Sequence, residues 1–316
     1  MARTLSAVTV ALSLLIAVPA LADEANIRYR SGLALKRQGK LTEAIAEYEA
    51  AIKLRPTYAE AHFALGNAFR ILGQLDKAIL AYEQTVKLQP KAPDVRANLG
   101  VAYFKKDRID DAQRELELAV SLNPKDAQSW SSLGTIYRKQ AQKLARANDP
   151  KSKDMEQKAI AALEKAVTML PKDHEILNNL GVAYRAANKL DLAKAKFIAA
   201  IAAAPNVADY HFNLGVVYRR LEDQDNAIKE YGEAIRLKED HAGAHYDISL
   251  MYSQLRDNEN ALKHLQRYHE LTKGKDPKMD AEVEAKIKAL GGGDGKGGGT
   301  GKGGGKGKGG GKGKGN

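Results

Sequence analysis

From residue 25 to residue 275, apolar residues recur at spacings of three and four, in blocks broken by glycine, asparagine or proline. That period lines one face of an α-helix, whereas a half-buried strand would alternate every second residue. The stretch 59–82 shows the unit: an amphipathic helix through Ala61, Ala64, Leu65, Ala68 and Phe69, then a second through Ala78, Ile79 and Tyr82. Pairs such as Gly-Gln, Gly-Lys and Asn-Lys supply the turn between the helices, and a proline shortly after a leucine stops the second helix.

The unit repeats. Gly32, Gly66, Gly100 and Gly134 are each 34 residues apart, as are Gly181 and Gly215, and the gap from Gly134 to Gly181 is 47. Ala44, Ala78, Ala112, Ala159, Ala193, Ala227 and Ala261 follow the same steps with the same 13-residue excess, and prolines 56, 90, 124, 171 and 205 form a third series. Three residue types sharing one period and one interruption define a tandem array. Glycine and alanine fall where the paired helices must cross closely, and Tyr48, Tyr82, Phe197 and Tyr231 fill the space beside that contact.

The order Leu-Gly, aromatic, Ala, aromatic, Ala, Pro at this period resembles the tetratricopeptide repeat. The resemblance implies an all-α fold, a right-handed α-solenoid of about seven helix-turn-helix repeats at 25–58, 59–92, 93–126, 127–173, 174–207, 208–241 and 242–275. A capping helix over 276–290 follows, started by Asp276-Pro277 and apolar along Met279, Val283, Ile287 and Leu290. Departures gather at the ends, where repeats of this kind are often irregular: Ser31 precedes Gly32, Ser249 replaces the seventh glycine, and Glu239 and Lys273 stand at proline positions. The 13-residue excess lies between Gln140 and Met155, where it should lengthen the first helix of repeat four and project from the solenoid edge.

The two termini differ from the array. Residues 1–22 carry Arg3, an apolar run from Leu5 to Val18 and an Ala-x-Ala site ending at Ala22, the pattern of a cleaved secretory signal peptide. Export, most simply to a periplasm and otherwise secretion, is therefore expected. From Gly291 to Asn316 the chain is nearly all glycine and lysine, with too little apolar surface to offset the entropy of ordering it, so a disordered tail is expected. Its Lys296, Lys302, Lys306, Lys308, Lys312 and Lys314 against one aspartate give +5 of the chain's net +11, and with Arg3 set aside +5 remains on residues 23–290. The absence of cysteine rules out disulfides, thiolate metal sites and thiol nucleophiles.

In the family, the first helices of successive repeats line a concave face on which ligands lie as extended peptides. Helical geometry assigns faces independently. With positions counted from residues 25, 59, 93, 127, 174, 208 and 242, positions four, seven, eight and eleven share one side, and two, six, nine, twelve and thirteen face away from it. Position six carries Asn98, Asn179 and Asn213, interrupted by Ser132; amides donate and accept, so such a ladder can pair with any peptide backbone. Position twelve carries Lys36, Arg70, Arg138, Arg185 and Arg219, interrupted by Phe104, a row suited to carboxylates unless it merely pairs with neighbouring repeats. The family's carboxylate clamp for chaperone tails is unmatched, since its positions hold Tyr29 and Leu33.

No catalytic constellation, cofactor motif or metal set emerges. The Gly-x-Gly-x-x-Gly matches in the tail follow no strand, and no Gly-Lys pair there precedes Ser or Thr. His241 and His245 are four apart, yet His245 holds the packing position of His62 and His211, which points to a structural role. The expected function is a non-enzymatic protein-interaction scaffold of a bacterial envelope, holding an extended, acidic segment of an envelope protein and no small-molecule substrate. The alternative is tethering to an anionic envelope polymer through the basic tail.

Overall fold

A computed structural model describes residues 23–291, so the leader and all but the first residue of the Gly/Lys tail lie outside the described residues. The described residues are α-helices joined by short turns, without a strand. They divide into two compact units, one up to Pro205 and one from Asn206. Unit 1 contains five helical hairpins: α1 (23–37) with α2 (Leu41–Leu54), α3 (Ala59–Ile71) with α4 (Leu75–Leu88), α5 (Pro93–Lys105) with α6 (Ile109–Leu122), α7 (Ala127–Arg146) with α8 (Lys151–Met169), and α9 (His174–Ala186) with α10 (Leu190–Ala203). Unit 2 contains α11 (Ala208–Arg220) with α12 (Gln224–Leu237), α13 (Ala242–Gln254) with α14 (Asn258–Thr272), and a closing helix α15 (Pro277–Gly291).

Each hairpin is built by the same physics. At its turn one residue adopts a left-handed backbone: Gly39, Gly73, Asp107, Asn148, Asn188, Glu222 and Arg256 have φ between 55° and 78°. The next amide then reaches back to the carbonyl five residues before, as in Gln74 to Phe69 at 2.9 Å and Asp223 to Tyr218 at 3.0 Å, satisfying an otherwise orphaned acceptor at the helix end. Within the hairpin the helices approach until only glycine fits. A Cβ placed on Gly181 would lie 2.7 Å from Cε1 of Phe197, which is fully buried.

Neighbouring hairpins are joined by two recurring polar contacts. The side chain at position four donates to the carbonyl six residues earlier, at the end of the preceding repeat: His62 Nε2 to Pro56, Arg96 Nε to Pro90, Trp130 Nε1 to Pro124 and His245 Nε2 to Glu239, at 2.8–3.1 Å. Glu239 stands where a proline would, and its carbonyl takes the same bond. A tyrosine at position eleven donates to a glutamate of the preceding repeat: Tyr103 to Glu83, Tyr137 to Glu117 and Tyr184 to Glu164, at 2.6–2.8 Å. Burial followed by the bonded carboxylate raises each phenol's pKa, that of Tyr184 to about 12.

Two irregular elements complete the picture. The extra residues of the fourth hairpin lengthen both of its helices, α7 to 20 residues and α8 to 19, around a turn at Asn148. An ion pair of 2.6 Å between Lys139 and Asp107 pins the elongated α7 to the α5–α6 turn. At the other end, the Asp276 carboxylate accepts the amides of Lys278 and Met279 and starts α15, which buries Val283 and half-buries Met279, Ile287 and Leu290. The last hairpin's apolar edge is thereby covered.

Candidate functional site

Within unit 1 the first helices of adjacent hairpins touch each other, α5 against α7 and α7 against α9, as α11 touches α13 in unit 2. They form the inner layer of each stack, and the second helices the outer one. The amide and basic rows lie on these inner helices, so their positions follow from helix register once the hairpins are stacked.

None of the predicted residues of the two rows is fully buried; all are half-buried. Asn98 Nδ2 donates to the Asp94 carbonyl of its own helix at 2.8 Å, and Asn179 Nδ2 approaches Ser131 Oγ of the preceding hairpin at 3.5 Å. Asn213 lies in unit 2 at the same register, in a helix of its own hairpin pair. The amides of Asn98 and Asn179 thus each retain an acceptor oxygen and a second N–H that these bonds do not use.

The basic row divides by partner. Arg219 Nε donates to the Tyr231 hydroxyl at 3.3 Å, and its Nη2 is 3.9 Å from Asp247 Oδ2 in the next hairpin. Asp247 holds position six, which shows that a position-twelve cation and a position-six side chain meet across a repeat seam. Arg185 lies 6.0 Å from the Phe197 ring centroid. Arg70 is near the Tyr82 hydroxyl, where it offsets part of the rise in that phenol's pKa caused by burial, and its own Nε is buried with no hydrogen-bond partner. Arg138 differs: burial lowers its pKa, and among the described residues no carboxylate opposes that shift. Lys36 is half-buried on α1.

Sequence periodicity missed a pocket of about 170 Å³ on the inner layer. Val101, Phe104, Leu116 and Ile136 line it together with polar side chains, among them Ser132, Glu175 and Asn179. Its only sequence signals were two interruptions of otherwise regular rows, Phe104 and Ser132. A larger cleft of about 670 Å³ lies at the edge, between the elongated end of α7 and the α5–α6 turn, and is lined chiefly by charged side chains of both signs.

Other chemistry is sparse. Among the described residues no group of three or more metal-ligating side chains converges, and no helix is long and apolar enough to cross a membrane. His241 caps α13 by accepting the Ala244 amide, and His245 bonds Glu239 and His264, so the two imidazoles that are four apart do not share a site. The predicted tail lysines lie outside the described residues.

Comparison with known proteins agrees with this architecture. Three family models, each described as a tetratricopeptide repeat, match residues 32–70 and 66–107, 93–126, and 157–193 and 180–240, together more than half of the chain. No curated protein is significantly similar in sequence. Among solved structures, a tetratricopeptide repeat protein from Parabacteroides merdae is similar with a TM-score of 0.62 at 13% identity, over 85% of this chain and 99% of that one. The pilF protein of Pseudomonas aeruginosa gives 0.57 at 18% identity, over 75% and 98%, and a thermophilic repeat protein of Thermus thermophilus gives 0.50 at 19%, over 61% and 98%. At these identities the likeness concerns the fold alone. With the 34-residue period, the close glycine crossings and the stacked hairpins all in agreement with the matched models, the chain belongs to the tetratricopeptide repeat family.

Proposed function

We propose that this chain is a non-enzymatic scaffold or assembly factor of the bacterial cell envelope, which holds an extended, acidic segment of another envelope protein against its inner helices. One observation supports the proposal: the amide and basic rows are half-buried on the first helices of the hairpins, and the approach of Arg219 to Asp247 brings position twelve of one repeat to position six of the next. Asn98, Asn179 and Asn213 offer sequence-independent pairing to a peptide backbone, while Lys36, Arg70, Arg138, Arg185 and Arg219 favour carboxylates. The envelope setting rests on the signal-peptide pattern of residues 1–22. Replacing all three asparagines with alanine should reduce crosslinking of envelope proteins to the chain in intact cells at least tenfold, with helicity and thermal midpoint unchanged. Undiminished crosslinking in a folded triple variant would remove the groove from the account.

A second role is supported by the +5 charge concentrated between Gly291 and Asn316. Such a basic segment favours anionic envelope polymers, and lacks the aromatic residues that stack nucleic-acid bases. A chain ending at Leu290 should lose retention on lipopolysaccharide that the full chain shows at low salt and loses at high salt. Equal retention of both chains would eliminate this role.

A further inference from the structure

The two rows break in adjacent hairpins of unit 1, and the breaks meet. Phe104 takes the place of a position-twelve cation and Ser132 that of a position-six amide, and both line the pocket of about 170 Å³ between α5, α7 and α9. Part of its lining is apolar, from Val101, Phe104, Leu116 and Ile136. The rest of its lining is polar: Thr135 Oγ1 donates to the Ser131 carbonyl at 3.1 Å and Ser131 Oγ faces Asn179 Nδ2 at 3.5 Å, with Gln128, Ser132 and Glu175 beside them. A cavity of about 150 Å³ with apolar walls accepts a benzene-sized guest, so the volume suits one leucine or phenylalanine side chain.

Arg138 adds a second point. It follows Thr135 by three residues on α7, hence lies one turn along the same face. Unlike Arg219, it has no hydrogen bond or ion pair among the described residues. The register explains the difference: Arg219 meets Asp247 at position six of the next repeat, whereas position six after Arg138 is Asn179, which is uncharged. A half-buried guanidinium lacking a carboxylate is incompletely compensated for the water it has lost. Asp247 displays within this chain the kind of group that would complete it.

We infer that repeats three to five contain a two-point anchor for the guest segment, in which an apolar side chain of leucine or phenylalanine size fills the Phe104–Ser132 pocket and a carboxylate pairs with Arg138. This deepens the peptide-binding proposal and rests on it. Neighbouring side chains of a helix at this spacing are about 5–6 Å apart, and an extended peptide advances about 3.3 Å per residue. The carboxylate therefore belongs about two residues from the apolar anchor.

The test selects a randomised dodecapeptide display library on the full chain and on three variants. Wild-type protein should enrich peptides with one Leu, Phe, Ile or Met about two residues from an Asp or Glu. Plugging the pocket with Ser132→Leu should weaken a selected peptide at least tenfold and erase the apolar preference, and Thr135→Met, from the next turn, provides a second plug should the first impair folding. Arg138→Gln should erase the acidic preference while leaving the apolar one. Selected peptides that need Asn98 but show no apolar position, or the same apolar preference on both plugged chains, would overturn the anchor and leave the groove intact. Failure to enrich any peptide would overturn both.

Discussion

A Cβ added to Gly66 would lie 2.6 Å from Cε1 of Tyr82, a ring with no exposed surface. The two residues are 16 apart in sequence, one on each helix of a hairpin, and their contact sets how closely α3 and α4 can cross. Gly66→Ala should therefore destabilise the protein by about 1–3 kcal/mol, the cost of forcing extra volume into a packed core. Repeat seven shows the milder case: Ser249 holds the glycine position and the residue at the tyrosine position is Leu265, both buried. Gly100→Ala, opposite Leu116, should accordingly cost less than Gly66→Ala, as comparison of urea-unfolding midpoints will show.

The hairpin turns yield a prediction of opposite sign. Glu222 and Arg256 have φ of 61°, the left-handed region that Gly39 and Gly73 occupy in the first two hairpins. A side chain with a Cβ is strained there. Glu222→Gly and Arg256→Gly should each raise stability by about 1 kcal/mol, and Asn188→Gly by less, because asparagine tolerates this conformation. Hydrogen exchange of the affected hairpin measures the change locally.

Acid should weaken unit 2 through a pair of histidines. His245 donates its Nε2–H to the Glu239 carbonyl, so its Nδ1 accepts, 3.0 Å away, from the Nδ1–H of His264. Burial, then the charges of His245 and Lys263, lower the His264 pKa to about 4; burial also lowers that of His245, with Arg267 and His241 contributing. An unfolded histidine titrates near 6.5, so between about 6.5 and 4 the unfolded chain binds more protons than the folded one. Stability is thus fully present above pH 6.5 and falls as pH drops towards 4. Denaturation at pH 7.5 and pH 5 should show this loss, and His264→Leu should flatten it.

The tyrosine and glutamate contacts between hairpins should be energetically coupled. Tyr103 is buried and donates to Glu83 at 2.6 Å. A double-mutant cycle of Tyr103→Phe and Glu83→Gln should give a coupling of about 0.5–3 kcal/mol, the range for directly bonded pairs. Purely additive effects would show that the contact contributes nothing to the stacking of repeats two and three.

Much of this molecule was legible in the residues. Helical periodicity, the glycines, alanines and prolines repeating every 34 residues, and the cap at Asp276 depend on local geometry or on contacts between nearest neighbours, and a tandem array repeats those contacts along the chain. Periodicity also placed the asparagines and arginines on one helix face, since helix register alone assigns a face. It did not reveal what each side chain meets there. Arg219 and Arg138 are identical in type and register, yet one finds Asp247 across its seam and the other finds no carboxylate among the described residues. Phe104 and Ser132 looked like unrelated exceptions until α5, α7 and α9 were stacked and a pocket opened between them. The sequence by itself determined the helices, their pairing and the family, because these follow from spacing along one chain. Only the tertiary structure decided which polar groups are already satisfied and where a guest could find room, because burial and free volume arise when separate hairpins meet.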